Sequence, residues 1–354
     1  MSFEEYIRRF GRVYEGAELE RRRLVYISRV AEIEAHNSRP GMTWTAGVNH
    51  LTDLDVSELH QRFGYDKALR GGTTDMLEGG MRPLADTLPE SVDWRLRSPS
   101  VVSPVKDQGG CGSCWAFAAV EVLETHIAIE TGVLMSLSPQ QLNSCTPNPR
   151  RCGGTGGCEG ATPALAFNYT VLTGISDVWA YPYQSGVTGS TGACSRASPV
   201  ASISSYVQLP PNDAQALVHA VAEHGPVAVS VDATLWPLYH SGIFDSCSRK
   251  TVNVNHAVVL VGYGDQNGTQ YWIIRNSWGT SFGETGYLRL RRHGSHEPCG
   301  TDKTPSNGNG CEGGPPEVEV CGECGVLSES SYVVGGRLFG ARRLRGPPAV
   351  DSWV

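Results

Sequence analysis

The stretch QGGCGSCWAF at 108–117 places two thiols three residues apart, Cys111 and Cys114. Such a pair can be a redox couple, half of a metal site, or a disulfide cysteine beside one reactive thiol. The reactive form of cysteine is the thiolate, so a nucleophile needs a neighbouring base or cation and gains from a helix N-terminus. Cys114 opens the run CWAFAAVEVLETHIAIE, rich in helix formers, with Gly132 as its stop. The unpaired N–H groups of a first helical turn favour a thiolate there. Far downstream lie a proton carrier and an amide that could orient it. His256 sits in NVNHAVVLVGYG, 142 residues on, and Asn276 in IIRNSWG, 162 residues on. A redox couple is disfavoured because no βαβ pattern precedes the pair and many cysteines follow it. Zinc at Cys321-Gly-Glu-Cys324 gives way to disulfides in a cysteine-rich body, and His293, His296 and Cys299 read as a solvated loop. No metal and no cofactor is expected.

The elements that must carry these residues fall into two halves. Helical content leads after Cys114, and loops dense in Gly, Pro and Cys fill 143–163. After about Ser204 the composition turns to strands, with VAVSVDA, HAVVLVGYG, YWIIRNSW and GYLRLRR between Gly-containing turns. A helix-led and a sheet-led subdomain with a cleft between them is the expected result. Ahead of both, residues 3–37 read as helix, with Phe3, Tyr6, Ile7, Phe10, Leu24, Ile27, Val30 and Ile33 at mixed spacings of 3 and 4. A further helical turn begins near Ser57. Residues 66–87 are Gly-rich and polar, a linker open to proteolysis. The expected division is 1–65, linker 66–87, a main body 88–334 with a Cys-rich insert at 299–321, and a flexible basic extension 335–354.

With 354 residues, 40% hydrophobic and 18% charged, the chain can bury a sizeable core. Its net charge of −7 and the absence of a basic stripe in the body argue against nucleic-acid binding. All eleven cysteines lie between Cys111 and Cys324, which allows five bridges and one leftover thiol and points to an oxidising compartment. Asn168-Tyr-Thr170 and Asn267-Gly-Thr269 are glycosylation tripeptides that fit secretory passage. The start, MSFEEYIRRF, shows no signal peptide, so a secretory protein would begin before this chain or from an internal Met. No run of apolar residues is long enough to span a membrane.

PVKDQGGCGSCWAF, NHAVVLVGYG and RNSWG, in this order, resemble the papain family of cysteine proteases, in its cathepsin L-like zymogen form. The likeness covers about residues 3–334. It implies an α+β, papain-like two-subdomain fold, with a helical left subdomain, a β-barrel-like right one and a mainly helical propeptide in front. It also implies roles: Cys114 as nucleophile, His256 as ion-pair partner and acid, Asn276 as the orienting group, Gln108 with the Cys114 N–H as oxyanion donors. Trp278 would shield the His256–Asn276 contact from water. Substrate contacts would come from Gly112, Ser113, Gly160, Ala161, Thr162, Pro163, Ala164, Ser230, Val254, Asn255 and Glu329. The family's GCNGG loop reads GCEGA here, so the P2 backbone contact at Ala161 is less certain, and Thr162 and Ala164 imply a roomier S2 pocket. A carboxylate at Glu329 would accept a P2 Arg, unless it is simply a solvated residue of SESS. The implied disulfides are Cys111–Cys158, Cys145–Cys194 and Cys247–Cys324, which leave Cys152, Cys299, Cys311 and Cys321 with three pairings open.

The leader resembles the family's ERFNIN helix through Glu18, Arg22, Tyr26, Arg29, Ile33 and Asn37, with Tyr26 in place of Phe and Arg29 in place of Asn. The Gly47-Val-Asn49-His-Leu51-Thr-Asp53 motif follows, with Leu in place of Phe. The resemblance implies an intramolecular inhibitor that runs through the cleft backwards, is weakened by acid through carboxylates paired with Arg, and is removed by a cut between about 80 and 90. The expected product is a monomeric endopeptidase acting on proteins and peptides in a lysosome or vacuole or outside the cell. A silent homologue acting as a binding or storage protein, and a thiol oxidoreductase, are the rivals.

Overall fold

The computed structural model describes residues 1–63, 88–294, 296–308 and 310–339. The linker and the cleavage region expected within it therefore lie almost wholly outside the described residues, as does the tail from 340.

The leader forms α1 (Phe3–Arg9), α2 (Gly16–Asn37), the short strand β1 (Trp44–Ala46) and α3 (Val56–Arg62). The single helix expected over 3–37 is therefore two. Gly11 and Gly16 both take left-handed backbone (φ 60° and 55°), which breaks the ladder and lets α1 fold back on α2. Phe3, Tyr6 and Tyr26 bury their rings in that joint.

The body begins with β2 (Val92–Asp93). Helices α4 (Cys114–Thr131), α5 (Pro139–Cys145), α6 (Pro163–Thr173) and α7 (Ser185–Thr188) follow, then β3 (Ala201–Ser202) and β4 (Ser205–Gln208). Next come α8 (Ala214–Glu223), β5 (Val227–Val231), β6 (Tyr239–Phe244), β7 (His256–Gln266), β8 (Thr269–Arg275) and β9 (Tyr287–Arg291). The insert supplies β10 (Cys299–Asp302) and β11 (Val318–Cys321), and β12 (Ser330–Val334) and β13 (Arg337–Leu338) close the described chain. The main sheet runs β1-β6-β9-β8-β7-β5-β12-β4, with β2 added on β7. It is an open path rather than a closed barrel.

Alternation along β7 sorts two cores. Ala257, Val259 and Val261 face α4 with Trp115, Ala119 and Leu123, while Val258 and Leu260 face the other way with Trp236, Trp272 and Leu288. Helix α4 is buried from Cys114 to Ala128 and ends on the left-handed Gly132 (φ 76°). Its Glu121 meets Arg275 at 3.1 Å with both side chains fully buried. This pair ties the helix that starts at Cys114 to the strand that ends at Arg275, just before Asn276, and removing one partner of such a pair typically costs about 3–5 kcal/mol.

The leader is part of the second core. Ile33, Trp44, Ala46, Leu51, Leu59 and Phe63 pack into it, and β1 pairs antiparallel with β6 at the sheet edge. Trp44 donates to Ser246 Oγ at 2.8 Å and Thr43 to Asp245 at 2.7 Å. Within the leader, Arg22 holds Glu18 (2.7 Å) and Glu58, and donates to the Asp53 carbonyl at 3.0 Å. Asp53 accepts the hydroxyls of Tyr6 and Tyr14 at 2.7 and 2.6 Å. Asn37 closes both hydrogen bonds with Ala46, each at 2.9 Å, and so ties the end of α2 to β1. The basic extension differs from expectation at its start: β13 pairs with β3, and Arg337 donates to Ser202 Oγ at 2.7 Å.

All eleven cysteines lie among the described residues. Five disulfides join Cys111–Cys158, Cys145–Cys194, Cys152–Cys311, Cys247–Cys324 and Cys299–Cys321, and Cys114 is the free thiol.

Candidate active site

Cys114 occupies the first position of α4, after a loop that is pinned on all sides. The Cys111–Cys158 bond and the Gly112 N–H to Cys158 carbonyl contact (3.1 Å) fix its middle. Tyr183 donates its hydroxyl to the Gln108 carbonyl and shares a contact with Ser113 Oγ, both at 2.7 Å. The Gln108 side chain is equally determined. Ser277 Oγ donates to its Oε1 at 2.7 Å, which forces Nε2 to point the other way.

The facing half supplies the imidazole. His256 opens β7 and Asn276 follows β8, and register brings Val231 opposite His256. His256 Nε2 lies 2.8 Å from Asn276 Oδ1. The orientation of that amide is set by the Ser277 N–H, which donates to the same Oδ1 at 2.8 Å. Since Oδ1 can only accept, Nε2 carries the hydrogen and Nδ1 is the basic nitrogen. Nδ1 is buried and has no hydrogen-bond partner among the described residues. The next residue's N–H, Ala257, donates to Cys114 Sγ at 3.5 Å, so the thiol and the ring share one enclosed space. Trp278 stacks on the imidazole with centroids 4.8 Å apart and is itself fully buried.

Burial sets the protonation of this pair. It pushes the Cys114 thiol up to about 11 against the opposing N–H of Ala257. It pulls His256 down to about 4, with Asn276 working the other way. With the leader in place, burial favours the uncharged form of both groups.

The groups that enclose it come from the leader. The Arg62 carbonyl accepts from Gln108 Nε2 at 2.8 Å, and the Phe63 carbonyl lies 3.8 Å from Cys114 Sγ. The Phe63 ring sits against Trp278 (5.7 Å) and edge-on to His256 (6.2 Å). Arg62 pairs with Asp107 at 3.3 Å, and His50 Nδ1 meets Ser281 Oγ at 2.6 Å. A leader backbone carbonyl is thus held on the Gln108 amide beside Cys114. The family resemblance implied a leader running through the cleft, without saying which of its residues lie there. An aromatic at the end of a helix just before a Gly-rich linker was the available signal for Phe63, and Ser277 lay beside Asn276.

The remaining wall residues divide between the halves. Thr162 and Pro163 begin α6, after Gly160 and Ala161 in a loop that lies against the Cys158 turn. Ser230 on β5 and the buried Val254 and Asn255 come from the sheet side. Glu329 is not a free surface residue: Ser230 Oγ donates to its carboxylate at 2.8 Å and its carbonyl accepts the Ser230 N–H at 3.2 Å. The residue keeps part of its surface open, while burial pushes its carboxyl up to about 7. Asn255 turns away from this wall, its amide engaged with the Ala233 N–H and Thr234 Oγ1. Cys321 and Cys324 are both in disulfides, so neither is a free thiolate for a metal.

Residues 88–309 match the model of the papain family cysteine protease, and residues 3–59 match that of the cathepsin propeptide inhibitor domain (I29). The chain is 35% identical over 299 residues to pro-cathepsin H of Mus musculus, which covers 82% of this chain and 85% of that protein. It is 37% identical over 293 residues to cathepsin S of Rattus norvegicus, covering 79% and 83%. Among solved structures it is similar to digestive procathepsin L 3 of the Tenebrio molitor larval midgut, with a TM-score of 0.72, 31% identity, and 94% and 97% of the two chains covered.

Proposed function

Because the chain belongs to the papain family of cysteine proteases and carries a cathepsin propeptide inhibitor domain in front of the peptidase body, we propose that it is a latent endopeptidase that cleaves through a Cys114 acyl-enzyme. Cys114 Sγ attacks the scissile carbonyl. His256 holds the thiol's proton at Nδ1 and passes it to the leaving amine, with Asn276 keeping the ring in that tautomer. The developing oxyanion receives the Gln108 Nε2 hydrogen and the Cys114 N–H. A water then attacks the thioester with His256 as base, and the thiol is restored. The observation that supports this most is the Arg62 carbonyl on Gln108 Nε2, a peptide carbonyl accepting from the amide assigned here to the oxyanion.

Latency follows from the same contacts. The leader reaches the cleft from the Trp278 side and passes Gln108 and Cys114 in the order Arg62, Phe63, consistent with a segment lying against the direction of a substrate. Removal of the leader opens the pair to water and to substrate and lets the thiolate form. Glu329 with Ser230 forms the floor of S2, which takes Leu and Phe and, above pH about 7 where the carboxylate is ionised, P2 Arg as well. An acidic lysosomal or vacuolar compartment or the extracellular space suits five disulfides and the exposed side chains of Asn168 and Asn267. A monomer is the working state.

The test is mass spectrometry after labelling the processed chain with the epoxide thiol inhibitor E-64, together with Phe-Arg and Arg-Arg reporter rates. Labelling of Cys114 alone, with Cys111 disulfide-bonded, is the expected result. Glu329→Gln should lower the Arg-Arg rate selectively above pH 7. Unlabelled Cys114 would sink the protease reading, and an unchanged Arg-Arg to Phe-Arg ratio would sink the role of Glu329.

A further inference from the structure

The 299–321 insert spans the two halves. On the sheet side its first strand lies beside residues 250–254: Val252 N–H donates to the Thr301 carbonyl and Thr301 N–H to the Lys250 carbonyl, both at 3.1 Å. The fully buried Asp302 accepts from the Val254 N–H at 3.3 Å, and Thr304 Oγ1 meets Asn253 at 3.1 Å. Val320 packs with Val252 and Val254. On the helical side Gly153 N–H donates to the Gly310 carbonyl and Glu312 N–H to the Arg150 carbonyl, both at 2.8 Å, and Cys311 is bonded to Cys152.

The crossing point is narrow. A side chain on Gly308 would come within 2.0 Å of the Val254 carbonyl, and one on Gly153 within 2.6 Å of the Gly308 carbonyl and 3.0 Å of the Ala161 carbonyl. Gly308 therefore touches the Val254 wall on one side and, through Gly153, the Ala161 wall on the other. Only glycine permits so close an approach of three backbones. The hairpin is clamped at its base by Cys299–Cys321 and at its tip by Cys152–Cys311. Pro305, Asn307 and Cys311 are buried, so this segment is packed into the body rather than loose on it.

We propose that this insert is a fixed strap that closes the unprimed end of the cleft just beyond the P2 residue, so that substrates are selected on P2, P1 and their primed residues. The inference rests on the protease reading and on Ala161 and Val254 as the walls of S2. A polypeptide bound at P2 meets the strap at Gly308 and must turn out of the cleft, so P3 and P4 residues gain no contact. Removing the strap uncovers the backbone of residues 160–161 and restores that contact.

The test uses the body released from the full chain by limited proteolysis within 64–87, with active sites titrated by E-64. Phe-Arg reporters are extended at their N-terminal side by none, one or two alanines. The strap predicts kcat/KM unchanged within about twofold, or lower, on extension. Cys152→Ser with Cys311→Ser, or replacement of 303–317 by a short Gly-Ser turn, should then make the longest reporter at least tenfold better than the shortest. A tenfold gain on extension in the unaltered enzyme overturns the strap, as does a titratable strapless variant with the unaltered length profile. The unaltered enzyme decides the matter alone if neither variant folds. Absence of both E-64 labelling and hydrolysis would instead overturn the protease reading and the strap with it.

Discussion

Asn276 decides which nitrogen of His256 is basic, and Ser277 decides which way Asn276 and Gln108 point: its N–H fixes one amide and its hydroxyl the other. Two polar side chains on opposite walls are thus oriented by one residue. The proposed oxyanion role of Gln108 has a direct consequence. A single preorganised donor contributes about a hundred- to a thousandfold in kcat. Gln108→Ala should lower kcat of the processed enzyme by that factor, while E-64 still labels Cys114. A loss below about fivefold would remove Gln108 from the mechanism. That Cys114, His256 and Gln108 would meet was legible in the sequence, for Cys114 from its place at a helix start and for His256 and Gln108 through the family resemblance of their motifs. Ser277 was not, since a serine's usefulness depends on which two amides the fold brings within its reach.

Elements show where acid acts. The leader holds the body through β1, through α3 and through the loop that carries His50. Burial, then the charge of Arg62, pulls His50 down to about 4, with Arg12 adding to the fall and Asp107 and Asp53 opposing it. A free histidine titrates near 6.5. Neutral His50 on Ser281 therefore favours docking fully above pH about 6.5, and the contribution is lost as pH falls from about 6.5 to about 4. Carboxylates paired with Arg act lower. Asp55, held down to about 2 by the Ser57 hydroxyl first and by Arg21 among the rest, keeps its contribution above its unfolded value near 4 and loses it only as pH falls through 2. His50 adds a contribution at milder acidity to that of the carboxylate–Arg pairs expected from the sequence. His50→Gln should move the midpoint of leader release, followed by size exclusion or by onset of hydrolysis, about one pH unit lower. A midpoint that stays in place would exclude His50. The break between α1 and α2 was invisible for a related reason. Apolar periodicity continues through 3–37, and only the left-handed Gly11 and Gly16 interrupt it.

At the scale of the molecule, leader and body share one hydrophobic core, the sheet carries a leader strand on its edge, and burial favours the uncharged forms of Cys114 and His256. The two-half architecture was legible because composition shifts from helix formers to β-branched residues near Ser204. The bridging of those halves by the insert was not. It depends on Cys152–Cys311, one of three pairings that sequence left open, and on backbone contacts at Gly153 and Gly308 that have no signature in residue type. On the proposed reading, this is a protease held silent by its own leader. That reading is tested by comparing, at neutral pH, the Phe-Arg hydrolysis and E-64 labelling of the full chain with those of an 88–354 form. The shorter form should hydrolyse at least a hundredfold faster and be labelled at Cys114, while the full chain stays unlabelled. Equal rates and equal labelling would contradict it.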